Sequence, residues 1–165
     1  MLLPVLPAME KELGVSSLQV SMIITVYSIV AIICIPVAGY MSDCFGRKRI
    51  IIPSLIIAGI GGLISGFASW QIENPYSIII FGRLLQGVGA AGASPIVMPL
   101  IGDIFMKESE VSEGLGVIET SNTFGKVLSP ILGASLAAVV WYMPFFAFPI
   151  FCLISIWMMV FLVES

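Results

Sequence analysis

Residues 19–41 read QVSMIITVYSIVAIICIPVAGYM, an unbroken apolar stretch without a charged side chain. An α-helix needs about 20 such residues to cross the ~30 Å hydrocarbon core of a bilayer. Strands of a membrane barrel would instead alternate apolar and polar residues over about ten positions. The stretch therefore predicts a membrane-spanning helix, and most of the remaining chain repeats its pattern.

Four more apolar blocks follow, at residues 50–69, 76–102, 113–139 and 142–163, separated by short polar connections. In the whole chain 59% of residues are hydrophobic and 10% are charged, whereas soluble domains average about 45–50% and about 25%. A soluble fold of this size lacks the interior to bury so much apolar surface. The sequence therefore predicts an all-α membrane protein, a single transmembrane helical bundle over residues 1–165 with the lipid bilayer as its main partner.

Composition also argues against several functional classes. The chain has no histidine, and its three cysteines follow no metal-ligand spacing, so we expect no metal site. It has no basic patch of the kind that binds nucleic acid. It also lacks a nucleophile–base set and a nucleotide-binding loop, so we expect neither an enzyme nor a bound cofactor.

The distribution of basic residues predicts the orientation in the membrane. Arg47, Lys48 and Arg49 lie in one polar connection, and Lys107 lies two connections later, on the same side. Cytoplasmic loops carry an excess of lysine and arginine. We therefore expect the basic side to be cytoplasmic in a multi-pass protein of the plasma membrane.

The start of the chain differs from the other apolar segments. Residues 1–7 are apolar but too short to span a bilayer, and the polar stretch Met9–Glu12 follows directly. We interpret residues 1–7 as the end of a truncated first helix. The five complete blocks plus one such helix would make a unit of six.

Three ionisable residues, Arg83, Glu119 and Lys126, fall well inside apolar blocks. Each costs about 2.5–3.5 kcal/mol at the centre of a membrane helix, so such residues face a bundle interior or a wet cavity. Asn122 and Ser129 fall on the same helix face as Glu119 and Lys126. We expect this polar face to line a transport pathway, or alternatively to hold a buried structural ion pair. Arg83 is a candidate partner for Glu119.

Small residues form a second stripe on the same block. Gly125, Ser129 and Gly133 recur every four positions, a pattern that lets two membrane helices approach closely. Pro130 removes one backbone hydrogen bond and predicts a bend. The stripe indicates either ordinary helix packing or a bend that shapes one end of a transport path.

The polar connection GYMSDCFGRKR at residues 39–49 resembles the loop signature of the major facilitator superfamily. In that family the loop joins the second and third helices on the cytoplasmic side and acts as a hinge and charge latch. We expect a glycine of this loop to end the helix, its aspartate to cap and pair, and its basic run to anchor to headgroups. The matching residues are Gly39, Asp43, Gly46, Arg47 and Arg49. Asp103, at the end of the third block, resembles the third latch partner.

Two further motifs follow in the order expected for this family. RLLQGVGAA at residues 83–91 resembles its fourth-helix motif, in which the arginine is linked to proton coupling. A fifth-helix antiporter motif is similar to a set of small residues and one proline at the same spacing, with Ser129 and Ala134 in place of two glycines. The other matching residues are Gly116, Gly125, Pro130 and Gly133.

The resemblance implies the N-terminal half of a secondary transporter. It implies efflux of drugs or other small molecules that is driven by the proton gradient, with no cofactor. It also implies that a missing C-terminal half is the partner of this chain. Glu119 would carry the proton and Arg83 would modulate its proton affinity, with Asn122 and Lys126 in the same pathway. The alternatives are half of a metabolite uptake symporter, or a truncated membrane protein that does not transport.

Overall fold

The computed structural model describes residues 2–162, which form a helical bundle with no strand. Met1 and residues 163–165 lie outside the described residues, so the ends of the predicted domain 1–165 and of the block 142–163 lie there too. After a 3₁₀ turn at Leu3–Val5, the helices run in the following order. They are α1 (Leu6–Leu13), α2 (Ser17–Phe45), α3 (Arg47–Gln71), α4 (Tyr76–Ala93), α5 (Val97–Ile104), α6 (Glu108–Val139) and α7 (Met143–Leu162).

Four segments in residues 2–162 are long and apolar enough to cross a membrane. They are Ser17–Phe45, Arg47–Gln71, Tyr76–Ile104 and Met143–Phe161. They correspond to four of the five predicted blocks. The remaining block, 113–139, is helical and corresponds to α6. It is not among the four segments, because its charged and amide side chains lower its mean hydropathy. The count of five full spans plus a stub therefore stays a prediction.

The boundary between α2 and α3 differs from the predicted polar connection. Helix α2 continues beyond the predicted block end at residue 41, past Gly39, to Phe45 and contains Asp43. The helix ends at Gly46, whose φ of 97° lies in a region that side chains with a Cβ rarely adopt. A single glycine therefore separates two long helices, and Asp43 lies within the last turn of α2 rather than in a loop.

The block 76–102 is also interrupted. Its helix pauses at residues 94–96, between α4 and α5, where Pro95 supplies no backbone N–H. Hydrogen bonds from the amide of Ser94 to the carbonyl of Ala90 (3.1 Å) and from Leu100 to Ile96 (3.1 Å) hold the two sides of the break. Hydropathy does not reveal this break, since Pro95 is flanked by small and apolar residues.

Helix α4 packs against α3 and α2 through glycine backbone. A Cβ added at Gly89 would lie 2.6 Å from the Cβ of Ala58, and one at Gly82 would lie 2.6 Å from the carbonyl oxygen of Gly61. At Gly87 it would lie 2.7 Å from the carbonyl oxygen of Tyr27 in α2. Small residues permit such close approach where hydrophobic burial gives no driving force between helices. The glycines of α4 therefore bring its backbone into close contact with both α3 and α2.

The N-terminal segment and α7 complete one end of the bundle. Val5 and Met9 are fully buried there against Ile23, Ile79 and Phe145. Residues 2–7 form the 3₁₀ turn and the start of α1, which continues through the polar residues to Leu13. The predicted helix end is thus a short helical segment packed into the bundle.

Helix α6 lies at the edge, with Gly133 as the one buried residue that the structure describes in it. A Cβ added at Gly116 or Gly125 would meet nothing within 4 Å. No neighbouring helix among residues 2–162 therefore approaches closely at these two glycines, and α6 runs through Pro130 as one helix. The packing role of Gly116, Gly125, Ser129, Pro130 and Gly133 stays a prediction, and so does the bend.

Replacing Gly89 with alanine tests the α3–α4 contact. Overpacking costs about 1–3 kcal/mol, so Gly89→Ala should lower the midpoint of thermal unfolding in detergent, followed by circular dichroism. Gly102→Ala is the matched control, because a Cβ there meets nothing within 4 Å. Equal midpoints for the two variants would show that α3 and α4 are not in this contact.

A labelling experiment tests the predicted orientation. Cys44 is exposed in the last turn of α2, whereas Cys34 is partly buried and Cys152 is buried. With the other two changed to serine, a membrane-impermeant maleimide should modify Cys44 in inside-out vesicles and not in intact cells. A cysteine at the exposed turn residue Asn74 should give the opposite result, and reversal of both would invert the topology.

Candidate functional site

A cavity of about 530 Å³ opens between the N-terminal turn and helices α2, α4, α6 and α7. Its walls are mainly apolar and aromatic, and α7 contributes Phe145, Phe148 and Phe151. The polar side chains that reach it are few. They are Tyr27 from α2, Arg83 and Gln86 from α4, and Ser129 from α6. A largely apolar wall with a few polar groups is typical of small-molecule sites.

Of the residues that the structure describes in this wall, Arg83 is the one that is charged, and it is only 9% exposed. Its guanidinium donates a hydrogen bond to the side-chain oxygen of Gln86. The guanidinium carbon lies 5.8 Å from the ring centroid of Tyr27 and 5.5 Å from that of Phe145, within cation–π range. Among the described residues its Nε has no hydrogen-bond partner. The cation is therefore held by rings and one amide rather than by a carboxylate.

The backbone of α3 makes room for this arrangement. A Cβ at Gly61 would lie 2.9 Å from the Cγ of Gln86, and one at Gly62 would lie 3.0 Å from its Nε2. The same Cβ at Gly62 would lie 3.1 Å from Pro149 in α7. Gln86 thus occupies a slot that larger residues would fill, and from there it fixes one side of Arg83.

The predicted partnership between Arg83 and Glu119 is wrong for this structure. Within residues 2–162 no ion pair joins them, and Glu119 is exposed. Glu119 lines a separate open groove of about 470 Å³ with Thr123 and Val127. The reason is helical phase: at about 100° per residue, Glu119 and the cavity-lining Leu128 point to opposite sides of α6.

The predicted polar face of α6 reaches the cavity only at Ser129. Asn122 and Lys126 are exposed and border neither the cavity nor the groove. The structure therefore does not gather Glu119, Asn122 and Lys126 around Arg83. Their place in a proton or substrate pathway stays a prediction.

A second polar cluster lies where α2 meets α3. The Nε of Arg47 donates to Asp103 at 2.9 Å, and its Nη1 donates to Ser42 at 2.8 Å and also to Asp43. Ser42 is buried, and its hydroxyl donates a hydrogen bond to the carbonyl oxygen of Gly39 at 3.0 Å. We call Ser42, Asp43, Arg47 and Asp103 the corner cluster.

The corner cluster joins parts of the chain that are far apart in sequence. Asp103 lies in α5, 56 residues from Arg47, so this ion pair ties α5 to the α2–α3 corner. Arg49 is exposed and lies outside the cluster. The structure thus brings together three of the predicted latch residues, with Gly39 and Gly46 close by in sequence, while the latch role itself stays a prediction.

Sequence reasoning missed Ser42, Tyr27 and Phe145. A serine next to Asp43 within a motif could have suggested a partner for Arg47. Tyr27 is a polar aromatic residue inside an apolar block, which is also a usable signal. Phe145 gives none, because its role depends on which face of α7 meets α4.

Comparison with known proteins finds several relatives of this chain. The chain is 66% identical over 146 residues to the bacillibactin exporter of Bacillus subtilis, covering 88% of this chain and 36% of that protein. It is 32% identical to multidrug resistance protein 2 of the same organism, over 88% of this chain and 35% of that protein. The quinolone resistance protein NorA of Staphylococcus aureus is 25% identical over 88% of this chain and 36% of its own length.

The chain therefore spans about a third of the length of these relatives. The sequence profile of the Major Facilitator Superfamily matches residues 1–165, which is the full chain. The chain belongs to the Major Facilitator Superfamily.

Proposed function

We propose that the protein containing this chain exports small molecules across the plasma membrane, in exchange for protons. The observation that carries this proposal is the open cavity of about 530 Å³ lined by helices α2, α4, α6 and α7, with Arg83 buried in its wall. Pockets of about 300–1,000 Å³ suit small organic ligands. The names of the related bacillibactin exporter and multidrug resistance proteins favour export over uptake.

In this proposal, the cavity described above forms one wall of the transport pathway, and a part of the protein outside this chain forms the opposite wall. Transporters of this kind bind substrate between two structural repeats, which rock about the site. The cavity is bordered by α6, whose face beyond it carries exposed Glu119 and Lys126. A C-terminal half packed on this face would shield these charges from lipid and close the pathway.

Glu119 is the best candidate for the proton carrier in this chain. Of the acidic residues in 2–162, it alone lies in the interior of a long helix, whereas Asp43 and Asp103 lie near helix ends. A carboxylate at membrane depth is costly when charged, so its ionisation couples readily to access from one side or the other. Its separation from Arg83 means that proton and substrate would be bound at different places.

Changing Glu119 to glutamine in the full protein tests this role. Proton-driven export into inverted vesicles, measured with a radiolabelled or fluorescent substrate, should fall at least about tenfold, equivalent to about 1.4 kcal/mol. Substrate exchange without a proton gradient should persist, because glutamine keeps the shape of the site. Glu113→Gln, on the same helix but near its start, is the matched control. Unchanged proton-driven export by Glu119→Gln would remove it from the mechanism, and loss of exchange as well would indicate a structural role.

The corner cluster gives a second test, through a double-mutant cycle. Arg47→Gln and Asp103→Asn should each slow transport several-fold, and the double variant should be no slower than either one. Stability should change by less than about 1 kcal/mol, because such partly exposed pairs contribute little; the side chains of Arg47 and Asp103 are 20% and 59% exposed. Arg49→Gln, an exposed cation outside the cluster, is the control. Additive effects, or equal slowing by Arg49→Gln, would contradict a latch at Arg47.

A further inference from the structure

We propose that the cavity selects anionic ligands that carry an aromatic ring, with the acidic group bound at Arg83 and the ring against the phenylalanines of α7. This inference rests on the proposed transport function and adds the chemical class of the substrate. Three observations on the cavity support it.

The first observation is the charge balance of the wall. Arg83 is the only charged residue that borders the cavity, and no carboxylate does so among the described residues. A buried cation is costly unless it is paired and hydrogen-bonded. A carboxylate, sulfonate or phenolate would meet this requirement, whereas an organic cation would be repelled.

The second observation is the unused donor capacity of the guanidinium. It offers five N–H donors in a planar fork suited to the two oxygens of an acidic group. Gln86 accepts a hydrogen bond from Nη1, and the Nε–H, which is shielded from solvent in this structure, has no partner among the described residues. With Gln86 fixed in its slot beside Gly61 and Gly62, the guanidinium is held in place before a ligand arrives.

The third observation is the aromatic lining. Phe145, Phe148 and Phe151 recur every three residues on α7, and each borders the cavity, as Tyr27 does from α2. Aromatic rings prefer offset or edge-to-face contacts with one another. A ring attached to the acidic group would therefore lie against α7 while the group itself reaches Arg83.

Two ligands of nearly equal shape test the inference: 2-naphthoate, which is anionic, and 2-naphthamide, which is neutral. Binding to the full protein in lipid nanodiscs would be measured by isothermal titration calorimetry. The unmodified protein should bind the carboxylate at least about tenfold more tightly than the amide. Arg83→Gln should lose this preference through weaker carboxylate binding alone, and Arg83→Lys should retain part of it. Lys11→Gln, which removes an exposed cation that does not border the cavity, should keep it fully.

Phe148→Leu separates the ring contact from the charge contact, because it should weaken both ligands alike and keep the preference. If Arg83→Gln fails to fold, Phe148→Leu and Arg83→Lys still allow the test to be decided. Equal binding of the two ligands by the unmodified protein would overturn the inference. Equal losses for both ligands in a folded Arg83→Gln variant would overturn it too, since that result means a structural role such as pairing with a carboxylate from the rest of the protein.

The failure of this inference is distinguishable from the failure of the proposed function. Proton-driven export of neutral or cationic compounds, with no preference for the carboxylate, would leave an exporter without the anion site. Selective carboxylate binding without proton-driven export of any tested compound would support the anion site and contradict the proposed transport.

Discussion

The close packing of α4 on the glycine backbone of α3 is the contact on which the rest of the structure depends. Because Gly82 and Gly89 remove the side chains that would separate the helices, α4 lies deep in the bundle. Arg83 and Gln86 are carried inward with it. The slot beside Gly61 and Gly62 then fixes Gln86, so the same contact that holds the helices together also positions the cation of the cavity.

The packing of α4 also has a consequence at the other end of the bundle. Beyond the break at residues 94–96, α5 delivers Asp103 to Arg47 at the α2–α3 corner. Arg47 and Asp43 are four residues apart, on either side of Gly46, so their contact would survive a movement of α5, whereas the contact with Asp103 would not. In the corner cluster, the Arg47–Asp43 ion pair can therefore persist while the Arg47–Asp103 ion pair forms or breaks with the position of α5. Such an arrangement is better suited to a reversible contact than to a permanent one.

Hydropathy predicts where the long helices lie in the sequence, but it does not predict how each helix is rotated about its axis. The all-helical class and the approximate positions of the long helices follow from the apolar blocks, and the motif residues Asp43, Arg47 and Asp103 do meet. The rotation of each helix about its axis is not predictable this way, because a face toward lipid and a face toward a neighbour are both apolar. That is why Arg83 and Glu119 were wrongly paired. The end of α2 was misplaced because polar residues can extend a helix beyond the membrane until a residue such as Gly46 stops it.

Helix α6 differs from the helices around α4 in that it is little buried but carries several polar side chains. It is the least buried of the long helices in the described residues, yet it carries Glu119, Asn122 and Lys126 along its middle. In lipid these groups would cost several kcal/mol together, and the contacts of α6 with α5 and α7 do not cover them. A polar surface must therefore face this side of α6 wherever it lies at membrane depth. Since the same helix also closes one wall of the cavity through Leu128 and Ser129, whatever covers its outer face is placed to influence access to Arg83.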